Sequence, residues 1–73
     1  MIEVRLFATL RLGREKIIYL DSSQFSTAGE VLNHLTIDPE EVAICLINGK
    51  HSHLSTPIKD GDIIAIFPPV GGG

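Results

Sequence analysis

One stretch of this chain carries the 3.6-residue period of an α-helix, and runs with the two-residue period of β-strands flank it on both sides. Thr27-Ala28-Gly29-Glu30 opens it as a capping box, in which the Thr27 hydroxyl and the Glu30 carboxylate satisfy donors that a first helical turn leaves unpaired. Ala28, Val31, Leu32 and Leu35 then share one face, while Glu30, Asn33 and His34 point elsewhere. Asp38-Pro39 is expected to end the helix, because the residue before a proline is pushed out of the α region. A helix of two to three turns cannot bury that apolar face alone, so it requires a sheet to lie on.

The flanking segments supply the sheet. Ile2 to Phe7 alternates, with Ile2, Val4 and Leu6 on one side and Glu3, Arg5 and Phe7 on the other, as in a half-buried strand. A loop containing Gly13 leads to Lys16-Ile17-Ile18-Tyr19-Leu20, a second strand that should pair with the first across a long turn. Beyond the helix, Val42 to Ile47 reads as a fully buried strand, closed by the Asn48-Gly49 hairpin signal and followed by a short edge strand from Lys50 to His53. Leu54 to Ile58 crosses over, and Asp60-Gly61-Asp62 turns into the last strand, Ile63 to Phe67. Pro68-Pro69 stops the pairing, since neither residue can donate a backbone hydrogen bond. Strand, strand, helix, strand, short strand, strand, with the first and last strands central, is an α+β fold of the β-grasp kind: a mixed sheet with one main helix packed across it. Residues 1–68 are expected to form this domain and residues 69–73 a flexible tail.

At 73 residues the chain is one small domain that buries only about 60% of the surface its unfolded form exposes. Its 44% apolar and 21% charged residues place it among globular rather than disordered chains. The longest apolar runs fall far short of the roughly 20 residues of a membrane helix, so no membrane partner is expected. The charged N-terminal run Met1 to Phe7 is unlike a signal peptide, which points to the cytoplasm. A net charge of −3 with six scattered basic residues argues against nucleic acid and suits a basic protein surface. Cys45, inside an apolar run, reads as a buried and inert thiol.

The C-terminus carries the chemical information. Gly71-Gly72-Gly73 adds nothing to a core and should be mobile, since glycine loses more backbone freedom on ordering than any other residue. From Pro68 to Gly73 the chain reaches at most roughly 20 Å, enough to enter a partner's active site. Lacking Cβ atoms, the glycines can thread a narrow channel, and Pro68-Pro69 stiffens the exit. A phosphate-cradling loop is excluded, because it needs a lysine, a hydroxyl for the metal and a following helix.

The opening Met1-Ile2-Glu3-Val4-Arg5-Leu6-Phe7-Ala8-Thr9-Leu10-Arg11, the stretch Ile47-Asn48-Gly49, the stretch Thr56-Pro57-Ile58-Lys59-Asp60-Gly61-Asp62 and the ending Ile66-Phe67-Pro68-Pro69-Val70 before the glycines resemble the MoaD side of the MoaD/ThiS family of ubiquitin-like sulfur carriers. The resemblance implies that an E1-like enzyme adenylates the Gly73 carboxylate with ATP, that sulfur replaces AMP to give a thiocarboxylate, and that the large subunit of molybdopterin synthase receives the sulfur. It implies a non-catalytic carrier subunit that binds no cofactor or metal of its own, with ATP used by the partner. Gly71, Gly72 and Gly73 would enter the partner's active site, and Phe7, Phe67, Pro68, Pro69 and Val70 would form the partner interface. The alternation of the first strand also places Phe7 on the exposed face, beside Glu3 and Arg5.

Other candidates are weaker. His34, His51 and His53 lack further ligands at tetrahedral spacing and read as solvated. Asp38, Glu40 and Glu41 form an acidic cluster on a solvated loop that could meet a basic partner. Asp60 and Asp62 are expected to serve their turn, and Ser22, Ser23 and Ser26 have no base beside them. Competing functions are a carrier for thiamine, cysteine or tungsten-cofactor sulfur, a protein modifier joined through Gly73 to lysines, and a simple interaction module.

Overall fold

A computed structural model describes residues 1–69. It contains β1 (Ile2–Leu6), β2 (Ile17–Leu20), α1 (Ala28–His34), β3 (Ile44–Ile47), β4 (Lys50–His51) and β5 (Ile63–Phe67), with 3₁₀ turns at Ala8–Arg11, Ser22–Gln24 and Pro39–Glu41. The strands form one sheet in the order β2-β1-β5-β3-β4. β1 and β5 run parallel at its centre, from Glu3 opposite Ile63 to Leu6 opposite Ile66. The other three pairings are antiparallel. This is the expected α+β topology, with the first and last strands inside the sheet.

The core is the space between one sheet face and α1. Ile2, Val4 and Leu6 of β1, Ile64 and Ile66 of β5, and Cys45 and Ile47 of β3 meet Ala28, Val31 and Leu32 of α1 there. The alternation read in β1 and the helical face both hold. Val42 to Ile47 differs from its expected full burial: the strand starts at Ile44, and only Cys45 and Ile47 are buried. A two-layer domain has one helix to cover one face, so Ile44 and Leu46 emerge on the other.

The helix also starts and stops differently in detail. The Thr27 side chain accepts from the Glu30 N–H at 3.3 Å, but the Glu30 carboxylate reaches past Thr27 and accepts from the Ser26 N–H at 2.8 Å. At the other end α1 stops before Asp38. Thr36 adopts a left-handed conformation (φ 59°), its N–H bonds to the Asn33 carbonyl and the Ile37 N–H bonds to the Leu32 carbonyl. These two bonds make a Schellman ending with threonine in the usual glycine position. Arg14 fastens it from outside, donating to the carbonyls of Leu35, Thr36 and Leu10. Asp38-Pro39 instead opens the 3₁₀ turn Pro39–Glu41, with the Asp38 side chain accepting from the Glu40 N–H.

Two polar devices set the position of β5. Asn48 and Gly49 both have positive φ, as a two-residue type I′ hairpin requires, and join β3 to β4. The Asn48 amide then donates to the Asp62 carboxylate at 2.9 Å and accepts from the Ile63 N–H at 3.0 Å. Asp62, 3% exposed, also accepts from the Lys59 N–H and the Lys59 Nζ. Burial pushes its carboxyl pKa up, but the donors on Asn48 and Lys59 outweigh that effect and hold it below the usual range. Asp60 is paired with the N-terminal ammonium and accepts from the Ser22 hydroxyl.

Candidate functional site

Because β1 and β5 are parallel neighbours, both chains leave the sheet at the same edge. Phe7 follows the last residue of β1, Phe67 is the last of β5, and the Phe7 N–H bonds to the Ile66 carbonyl at 3.2 Å. Both rings lie half-buried on the face away from α1, stacked with centroids 4.2 Å apart and planes 13° from parallel. Arg11 sits over the Phe7 ring, its guanidinium carbon 5.4 Å from the centroid, and its Nε donates to the Leu6 carbonyl. The aromatic pair is thus held in place from its backbone and from one of its faces.

Beside the pair lies an open groove of about 760 Å³. It is lined by Phe7, Phe67, Ile44, Pro68 and Pro69, together with Ala8, Thr9 and the exposed Glu40 and Glu41, its acidic rim. Ile44 reaches it because β3 pairs with β5 in a register that sets Ile44 opposite Phe67. The 3₁₀ turn Pro39–Glu41 carries the two glutamates there, and neither carboxylate accepts a hydrogen bond or ion pair among the described residues. The lining is otherwise apolar apart from Thr9, so the groove is suited to burying another surface rather than to acid–base chemistry.

The fold therefore brings Phe7, Phe67, Pro68 and Pro69 together at one site. Val70, Gly71, Gly72 and Gly73 lie outside the described residues. Ile44, Glu40 and Glu41 are lining residues that the sequence reading did not place here: Ile44 was hidden in an apolar run, and the glutamates reach the groove only through the β3–β5 register. The basic residues are less scattered than expected, since Arg5, Arg11 and Lys16 line a second depression on the other side of Phe7, with Leu6 and Ile17.

Elsewhere the candidates have structural work. Ser22 bonds to Asp60, and Ser23 donates through both its N–H and its hydroxyl to Asp21, the cap of the 3₁₀ turn Ser22–Gln24. His34 meets the Phe25 ring edge-on at 5.2 Å, while His51 and His53 are exposed. No group of three or more His, Cys, Asp or Glu side chains is placed to hold a metal among the described residues. Cys45 is buried, and burial pushes its thiol pKa up, as expected of an inert core cysteine. No helix of the described residues is long and apolar enough to cross a membrane.

A five-stranded mixed sheet with a parallel central pair and one packed helix defines a small ubiquitin-like β-grasp protein. The ThiS family matches residues 4–73, and the chain belongs to that family. It is 35% identical over 85 aligned positions to the molybdopterin synthase sulfur carrier subunit of Haemophilus influenzae, covering 100% of each chain. It is 32% identical over 90 aligned positions to small archaeal modifier protein 3 of Haloferax volcanii, covering 99% of this chain and 98% of the relative. Among solved structures, the complex of subunits 1 and 2 of the molybdopterin-converting factor of Helicobacter pylori contains a similar chain, with TM-score 0.66, 28% identity, and 99% and 97% of the two chains covered.

Proposed function

We propose that this protein carries sulfur as a thiocarboxylate on Gly73 and delivers it to the large subunit of molybdopterin synthase. The observation that supports this best is the junction of site and tail: β5 ends in Phe67 at an open apolar groove, and the sequence continues through Pro68-Pro69-Val70 into three glycines. The groove gives a partner something to hold, while the glycines give it something thin enough to draw into an active site.

The chemistry requires little from the carrier. A carboxylate is a poor acyl donor, so an E1-like partner first joins Gly73 to AMP, consuming ATP and releasing pyrophosphate. A sulfur nucleophile from a donor then displaces AMP, and the resulting C-terminal thiocarboxylate is a soft, ionised nucleophile at neutral pH. The thiocarboxylate sulfur attacks the pterin precursor held by the large subunit and displaces an oxygen substituent, which joins carrier and precursor as a thioester. Water then cleaves the acyl C–S bond, leaving the sulfur on the precursor and restoring the Gly73 carboxylate. Phe7, Phe67, Pro68, Pro69 and Val70 serve as the interface, and Gly71, Gly72 and Gly73 as the inserted segment. No cofactor is bound stably, and the cycle takes place in the cytoplasm.

The likeness to an archaeal modifier protein supports a second reading, in which the same acyl-adenylate ends in an amide with a target lysine. Expression of the wild-type and Gly73-deleted chains in cells lacking their own small synthase subunit separates the two. Restored molybdoenzyme activity with the full chain alone supports sulfur delivery. Higher-mass adducts without restored activity support conjugation.

A further inference from the structure

The stacked Phe7 and Phe67 rings stand between two oppositely charged flanks. On the β3 side the groove carries Glu40 and Glu41, both exposed. On the β2 side the neighbouring depression carries Arg5, Arg11 and Lys16. Arg5 is already paired with Glu3, which leaves Arg11 and Lys16 without a carboxylate partner among the described residues. The domain is acidic overall, so a local pair of cations beside the aromatic pair runs against the average charge.

We propose that groove and depression are one docking surface, and that its two charged flanks set the orientation in which a partner protein seats on it. The fitting surface is apolar at its centre, where it covers Phe7, Phe67 and Ile44. It presents lysine or arginine to Glu40 and Glu41, and aspartate or glutamate to Arg11 and Lys16. Rotated by half a turn, the same partner would set like charges against each other at both ends, a costly arrangement that suppresses wrong docking. Orientation matters because a tail reaching at most roughly 20 Å from Pro68 enters a channel only if the partner's entrance faces the end of β5. This inference rests on the proposed docking of the groove against sulfur-transfer partners.

The test is binding of the full-length chain to the large synthase subunit and to the E1-like enzyme of the same organism, by titration calorimetry at low and high salt. Glu40→Gln/Glu41→Gln and Lys16→Gln are each expected to raise Kd by roughly three- to ten-fold at low salt, with the difference shrinking in concentrated salt. The combined Glu40→Lys/Lys16→Glu variant keeps the net charge at −3 but cancels the charge of both flanks at once, and is expected to bind worse than either single-flank variant. Ile44→Asp serves as the reporter of the groove itself, and thermal melts confirm that each variant is folded. Weak binding by Ile44→Asp with wild-type binding by all charge variants would overturn the orientation inference while leaving the groove as the docking site. Wild-type affinity for Ile44→Asp, or no binding of the wild-type chain to either protein, would overturn the docking reading and the inference with it.

Discussion

Asp62→Ala removes one carboxylate and leaves three donors without their acceptor: the Asn48 amide at 2.9 Å, the Lys59 N–H at 2.8 Å and the Lys59 ammonium at 3.2 Å. The ammonium is 80% exposed and regains water, so it contributes little to the loss. The other two bonds go to a charged acceptor that is 3% exposed, and together they contribute about 2–3 kcal/mol after partial rehydration. A domain this small has about twice that stability in total, so the variant should melt on the order of 10–15 °C lower. Because the folded-state pKa of Asp62 lies below its unfolded value, its contribution is complete above about pH 4 and disappears as the pH falls through the folded value. Urea titrations of wild type and variant from pH 7 to pH 2 should therefore show a gap that is constant near neutrality and narrows in acid. A loss below about 0.5 kcal/mol at pH 7, or a gap of the same size at pH 2, would refute the view that this carboxylate locks β5 to the hairpin turn.

Thr36→Gly should stabilise the fold by about 0.5–1 kcal/mol in denaturant unfolding, because glycine relieves the left-handed strain while retaining the Schellman bonds, and this gain exceeds the added freedom of the unfolded chain. Arg14→Lys should cost about 1 kcal/mol or more in the same assay, since a single ammonium cannot reproduce a guanidinium that donates to Leu35, Thr36 and Leu10. Leu32→Ala should cost about 3–5 kcal/mol and leave much of the protein unfolded at 25 °C by circular dichroism, because Leu32 is fully buried on the face of α1 that packs against the sheet. Cys45 should resist iodoacetamide in the native protein and react at the rate of a free thiol in 6 M guanidinium, approximately the concentration needed to unfold even hyperstable domains.

The fold was legible because its signals were local. Alternation in Ile2 to Leu6, the capping residues Thr27 and Glu30, and the Asn48-Gly49 turn each depend on a few neighbouring residues. What was misjudged depended on distant contacts. Ile44 and Val42 share an apolar run with Cys45 and Ile47, and composition alone cannot say that a sheet has a helix on one face only. Thr36 ended α1 ahead of the proline because Arg14, more than twenty residues away, supports the last carbonyls. Asp62 looked like a turn residue and proved to be a buried junction between the β3–β4 hairpin and β5. The site divided in the same way: Phe7 and Phe67 could be named from sequence, whereas the acidic rim exists only after β3 is set beside β5, and the basic flank only after β1 is set beside β2.

The central claim is that Gly73 is the group on which the chemistry occurs. Its most direct measurement is the intact mass of the protein, with fragment localisation, after incubation with its organism's E1-like enzyme, ATP and a sulfur donor. We expect a gain equal to the replacement of one oxygen by sulfur, confined to Gly73 and absent when ATP is omitted. An unchanged mass with an active E1-like enzyme and an intact tail would contradict the account.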